Sequence, residues 1–213
     1  MVVFHDEKLD RLMDTAGNVR DYTLKELQKM KFRDWDYAGQ EADGSKDGER
    51  MYIPALEEVL KLVKPYSVQK NVKINIELKN SVVRYQGMEE KVLALVEQYG
   101  MKEYIVYSSF NPESLRALKG LEPSAETGIL QTEMAKCLEL SRQCGADALH
   151  PHVDGVETAV SEDAPPDGHR TVRVWNGNEP FYKQARQRRI FRLAELQAKG
   201  VTDFITNVPE EYL

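Results

Sequence analysis

Apolar residues recur along this chain with two different periods, and from residue 54 onward the two alternate. Ile74, Ile76 and Leu78 share one face of an extended segment, and Asn75, Glu77 and Lys79 share the other, because side chains alternate along a strand. The β-branched Ile74 and Ile76 favour that reading. The pattern predicts a strand over 72–79 with one apolar face and one face bearing an amide, a carboxylate and an ammonium. Just upstream, Leu56, Val59, Leu60 and Val63 follow the i, i+3, i+4, i+7 rule of a helix, opened by Pro54 and stopped by Pro65. Downstream, Met88, Val92, Leu95, Val96 and Tyr99 form a second amphipathic helix closed by Gly100.

The alternation continues. A strand is expected over 104–107. The next helix is capped by Asn111, has Pro112 in its first turn and ends at Gly120. A strand over 126–130, a helix from about Glu133 to Gly145, strands over 146–150 and 171–175, a long helix from Phe181 to Lys199 and a last strand over 203–206 complete the series. Residues 154–170 read as a Pro- and acid-rich loop. Before residue 54, Val2-Val3-Phe4 reads as a short strand ending at His5-Asp6, and Thr23 to Glu26 as a capping box opening a short helix. Residues 33–50, with three glycines and many charges, read as a loop.

Strands alternating with helices predict an α/β fold with a parallel sheet. No Gly-rich phosphate fingerprint follows any strand, so a dinucleotide fold lacks its main support. Several strand ends instead carry polar or aromatic groups: Glu77 and Lys79, Ser108 and Ser109, His150, Trp175 and Asn176, Thr206 and Asn207. Chemistry gathered at strand ends is the habit of a β/α barrel.

Composition narrows the classes further. The 213 residues suit a single domain, and 41% hydrophobic with 30% charged residues is ordinary for a globular chain. A net charge of −6 gives no basic footprint for nucleic acid. No apolar run approaches the roughly 20 residues of a membrane span, and the N-terminus lacks the regions of a signal peptide, so a cytosolic chain is expected. Cys137 and Cys144 fall about two turns apart on one helix, roughly 10 Å between Cα atoms, too far for a disulfide. Two buried or half-buried thiols are expected. The run Lys183, Arg186, Arg188, Arg189 and Arg192 reads as the wet face of the last helix. His150 and His152 would share a strand face only if the strand ran through Pro151, which a proline disfavours. Taken alone, Glu77 and Lys79 also fit a surface ion pair, and His5 a plain polar residue.

The order of the motifs resembles the glycerophosphodiester phosphodiesterase family. Val2-Val3-Phe4-His5-Asp6, then Leu9, Arg11, Gly17, Val19, Asp21, Thr23 and Glu26-Leu27, track one family run. Ile53 to Leu60 is close to "IPTLEEVL", Ile74 to Lys79 to "LNIEIK", and Ser108 to Asn111 matches "SSFN". Leu149-His150-Pro151, Val174-Trp175 and Gly200 to Pro209 complete the order. Each motif is weak alone; their order over nearly the whole chain is specific.

The resemblance implies a TIM-type β/α barrel and a single domain over 1–213. The family's opening "HRG" strand, "PENT" segment and "E-x-D" strand have no counterpart here, which implies an incomplete, N-terminally truncated barrel lacking the first two strands. It also implies a divalent cation, Mg²⁺ or Ca²⁺, and a small-molecule glycerophosphodiester substrate hydrolysed to glycerol phosphate and an alcohol. His5 matches one of two catalytic histidines, Glu77 a metal ligand, Lys79 the lysine facing the phosphate and Trp175 an aromatic lining the site. The chemistry suits those types: a cation and an ammonium neutralise charge gathering on the phosphoryl oxygens, and an imidazole can protonate the leaving alkoxide. With one matched histidine and one matched carboxylate, a second reading is a degenerate relative that binds phosphate esters or a partner chain without turnover. Its open sheet edges would favour a homo-oligomer.

Overall fold

The computed structural model describes residues 1–33, 51–157, 171–176 and 192–206. Six strands form one all-parallel sheet in strictly sequential order: β1 (Ile74–Glu77), β2 (Ile105–Ser109), β3 (Glu126–Gln131), β4 (Ala148–Pro151), β5 (Thr171–Trp175) and β6 (Asp203–Ile205). Each parallel pair needs a crossover, and helices supply it where the chain is described: α2 (Leu56–Lys70) leads into β1, α3 (Met88–Gln98) joins β1 to β2, α4 (Pro112–Leu121) joins β2 to β3, and α5 (Met134–Cys144) joins β3 to β4. The short α6 (Val153–Glu157) follows β4, and α7 (Leu193–Ala198) precedes β6. Sequential order with one helix per strand is barrel topology. The sheet is a curled half-barrel: the α/β parallel sheet expected from the strand and helix periods, in the incomplete TIM-type form that the family resemblance implied.

Register shows which face does what. Ile74, Ile76 and Leu78 of the β1 segment, Tyr107 of β2, Ile129 of β3, Leu149 of β4 and Val172 and Val174 of β5 belong to one core with the helices. Each helix turns its apolar stripe to this layer: Leu60 from α2, Val92 and Val96 from α3, Leu115 and Leu118 from α4, Cys137 from α5. Both cysteines are free and buried, as their spacing implied; burial pushes the Cys137 thiol up to about 12.

Residues 1–33 and 51–55 build a separate small core around Leu9, Met13, Leu27 and Ile53. Its helix α1 (Leu24–Leu27) starts as the capping box demands: the Thr23 hydroxyl accepts from Glu26 N at 3.3 Å, and Glu26 Oε2 accepts from Thr23 N at 2.7 Å. Val2–Phe4, however, is not a barrel strand. Val2 makes one antiparallel bridge to Ala55, with Val3 N donating to Pro54 O at 2.9 Å. The partner segment turns into α2 immediately, so no ladder can extend.

Two other expectations change. Pro65 does not stop α2; the helix runs on to Lys70 and ends at Asn71, in the left-handed region with φ 53°. An interior proline removes one backbone bond, but burial of Leu60 on one side of it and Ser67 on the other holds both halves in register. Pro151 is itself the last residue of β4, and the extended chain continues past it: Gln131 pairs with Pro151, His152 N donates to Gln131 O at 2.9 Å, and His152 bridges Trp175. At the sheet's end the missing proline N–H is not needed. His150 and His152 therefore do lie on one face. Within 154–170, residues 154–157 are helical rather than loop, and 158–170 lie outside the described residues. So do the predicted loop over 34–50 and most of the predicted helix over 181–199, with its basic run.

Candidate active site

The inner face of the sheet, opposite the helix layer, is mixed: polar side chains stand there among Val106, Leu130 and Ala148. Asn75 and Glu77 of β1 sit level with Val106 and Ser108 of β2, and Ser108 with Gly128 of β3. Asn75 Nδ2 donates to Ser108 Oγ at 3.0 Å. Glu77 ends β1 at the carboxyl end of the sheet, and Lys79 lies just beyond it with Nζ 2.8 Å from Glu77 Oε1. The contact is an ion pair lying outside hydrogen-bond alignment, so Oε1 is buried yet takes no aligned bond among the described residues. Glu77 and Lys79 are half-buried, at 25% and 30% side-chain exposure. The predicted alternation holds: Leu78 is buried between them, against the helices.

Trp175 ends β5 on the same inner face. Its Nε1 donates to His150 O at 2.9 Å, which turns the indole N–H into the sheet and leaves the ring body at the carboxyl end. Phe110 and His152 each meet it at a steep angle, with ring centroids 5.7 Å and 4.6 Å away. Three aromatic rings from the ends of β2, β4 and β5 thus cluster there.

His150 is fully buried beneath that cluster. Its ring lies over Gly128, where a Cβ would come within 3.0 Å of three ring atoms; only glycine leaves the slot open. Arg173 Nη1 is 3.4 Å from His150 Nε2 and its Nη2 donates to Glu126 at 2.6 Å, while Lys73 pairs with the other Glu126 oxygen. Burial, then the field of Arg173, lowers the His150 pKa to about 4. Burial would raise Glu126, but its two cations outweigh that and hold it below the ordinary carboxylate value.

His5 stands apart, 67% exposed, in the N-terminal module. Its Nδ1 is 2.7 Å from Asp6 Oδ1, and Arg11 grips both oxygens of Asp6 at 2.6 and 2.7 Å. Bonding to Arg11 is the main cause that lowers the Asp6 pKa. Among the described residues no hydrogen bond or ion pair joins His5 to Glu77, Lys79 or Trp175. In the loop after β1, the Tyr85 pKa is raised chiefly by burial, with smaller effects from the charges of Glu7, Arg20 and Asp21.

For a divalent cation the described residues offer one carboxylate, Glu77. No group of three His, Cys, Asp or Glu side chains that could hold a metal occurs among them. One carboxylate beside an ammonium does not make a Mg²⁺ or Ca²⁺ site, since these ions take six or more oxygens. No described helix is long and apolar enough to cross a membrane. The Asn75–Ser108 link and the His150–Arg173 contact were not readable from sequence, because both depend on register across the sheet.

Comparison with known proteins agrees with this architecture. The sequence pattern of the Glycerophosphoryl diester phosphodiesterase family matches residues 1–211. A glycerophosphodiester phosphodiesterase of Caldanaerobacter subterraneus subsp. tengcongensis is 36% identical over 152 residues, covering 71% of this chain and 58% of that protein. The matches span less than three fifths of the length of this and a similar Bacillus altitudinis protein. In structure, an Oleispira antarctica phosphodiesterase in complex with the product sn-glycerol-3-phosphate superposes with a TM-score of 0.67 at 21% identity, covering 99% of this chain and 76% of the other. A glycerophosphodiester phosphodiesterase from Parabacteroides distasonis gives 0.67 at 18% identity over 99% of this chain and 75% of its own. At these identities the structural likeness speaks for the fold.

Proposed function

The chain belongs to the glycerophosphoryl diester phosphodiesterase family, and from that premise we propose that residues 1–213 form one phosphodiesterase-like domain acting on glycerophosphodiesters, the deacylated products of phospholipids. Water enters, the phosphoryl–alkoxide bond breaks, and glycerol phosphate and an alcohol leave. The observation that carries the reading is the Glu77–Lys79 pair, half-buried at the carboxyl end of a parallel half-barrel whose fifth strand ends in Trp175 at the same end. A carboxylate and an ammonium held together at that end match the needs of an anionic diester: one group to recruit positive charge, one to supply it.

In this proposal Lys79 swings from Glu77 to a phosphoryl oxygen, an exchange of one anionic partner for another that keeps the ammonium paired. Trp175 walls the site with its ring face, its N–H being committed to His150 O. His5 acts as the proton donor to the leaving oxygen. Its Nδ1 is engaged by Asp6, itself fixed by Arg11, so Nε2 is the nitrogen left to meet substrate. A divalent cation, Mg²⁺ or Ca²⁺, would supply Lewis-acid chemistry here only if further donors joined Glu77, the one carboxylate at the site among the described residues. Its remaining oxygens would have to come from water, substrate or other residues.

A second reading, phosphate-ester binding without turnover, is favoured by the single carboxylate at the site and by the outer sides of β1 and β6, unpaired among the described residues. It expects a homo-oligomer that covers those edges. The deciding experiment is release of glycerol phosphate from glycerophosphocholine by the purified chain, with Mg²⁺ or Ca²⁺ and with chelator. Metal-dependent release is the expected result. No release by a sample shown to be folded would overturn hydrolysis and leave the binding reading.

A further inference from the structure

We propose that Asn80 is a positioning residue, the hub of a buried polar network that holds Lys79 against Glu77; the inference rests on the reading of Lys79 given above. Asn80 follows the lysine directly and is 2% exposed. All of its polar groups are engaged. Its backbone N donates to Leu78 O at 3.0 Å, folding the chain tightly around Lys79. Its Oδ1 accepts from Tyr85 N at 2.6 Å, and its Nδ2 donates to Glu89 Oε1 at 3.0 Å and Ser114 Oγ at 3.2 Å. Its carbonyl accepts from Asn111 Nδ2 at 2.9 Å.

On the other side of the lysine, Leu78 O accepts from Ser109 Oγ at 2.8 Å, and that same hydroxyl oxygen accepts from Asn111 N at 3.0 Å. The carbonyls on either side of Lys79 are therefore clamped from one β2–α4 turn. Glu89, 1% exposed, anchors the far end: Arg84 Nη1 reaches its Oε1 at 2.5 Å. Burial would raise the Glu89 carboxyl, but bonding to Arg84 and Ser114 outweighs it and holds the group ionised. Lys79 alone, in this otherwise closed turn, sends its side chain out toward Glu77. A solvated surface loop has no need of a buried carboxylate and a fully engaged amide behind one lysine, since such groups are costly to bury unless satisfied.

The network permits a reciprocal test. In Asn80→Asp two carboxylates face each other where an N–H now meets Glu89, and the turn must open. In the double variant Asn80→Asp with Glu89→Gln, the carboxylate and the amide exchange places. Tyr85 N still finds an acceptor, the 80–89 bond runs in reverse, and total charge is unchanged.

The first readout is independent of activity: the rate of acylation of Lys79 by an amine-reactive ester at one pH, followed by mass spectrometry on folded protein. We expect Asn80→Asp to acylate about two- to fivefold faster, as suits release of a partly exposed ion pair, and the double variant to return to the wild-type rate. Where the wild-type chain turns over, kcat should fall about tenfold in Asn80→Asp with little change in KM, and recover in the double variant. Equal Lys79 acylation in all three proteins would overturn the positioning role. Normal acylation behaviour in a chain without turnover would instead contradict the hydrolytic reading and leave this inference standing.

Discussion

Lowering the pH from 6.5 to 4 is expected to remove about 3 kcal/mol of folding stability through His150 alone. The ring is fully buried in the slot above Gly128, with Arg173 at 3.4 Å, and its pKa falls from 6.5 to about 4. Asp203 and Glu126 favour the protonated ring but are outweighed by burial and Arg173. The sign follows from linkage. Between these two values the unfolded chain binds a proton that the folded chain refuses, so stability is full above 6.5 and drains as pH falls toward 4. Carboxylates held low by cations, such as Glu126 and Asp6, add their own losses at lower pH. The difference between wild type and His150→Gln isolates the imidazole. Urea unfolding at pH 7, 6, 5 and 4.5 should show wild-type stability falling steeply while the variant's profile stays flatter. Parallel profiles would mean that the folded chain protonates His150 as readily as the unfolded chain does.

Replacing Glu77 by Gln, or His5 by Ala, is expected to cut turnover of glycerophosphodiesters by at least about 10²-fold each. Glu77→Gln is nearly isosteric and sits at the end of β1, where the hydrogen bonds of the strand are backbone and survive. What disappears is the negative charge, and with it both the partner of Lys79 and the one carboxylate at that strand end among the described residues. His5→Ala removes an exposed ring whose described contact is Asp6. The Asp6–Arg11 pair remains, so the module should stay folded and the loss should appear in kcat. Circular dichroism checks folding, and steady-state kinetics the rates. Near-normal rates in either variant would refute that residue's role.

Much of this was legible in the chain itself. The change from a period of 3.6 to a period of 2 marks each described crossover, and the alternation Ile74, Ile76, Leu78 against Asn75, Glu77, Lys79 separates helix layer from inner face correctly. What was not legible depends on partners distant in sequence. Pro65 reads as a stop because local chemistry says so, yet packing on both sides carries α2 through it. Val2–Phe4 looks like a strand but meets only a segment about to become helix. Pro151 falls at a sheet end where its missing N–H is harmless. Asn80 has no periodic signature at all; its importance comes from Glu89, Asn111 and Ser114, which the fold brings to it. Gly128 makes room for a histidine of the next strand, and nothing in its own neighbourhood announces that.

In the proposed function the strand-end pair Glu77–Lys79 grips the phosphate ester. Calorimetric titration with sn-glycerol 3-phosphate tests it most directly, because it does not require turnover. The wild-type chain should bind, and Lys79→Ala should weaken binding by about 10- to 100-fold, the range for losing a charged hydrogen bond. Equal affinity in the two proteins, or no binding by a folded wild-type chain, would contradict it.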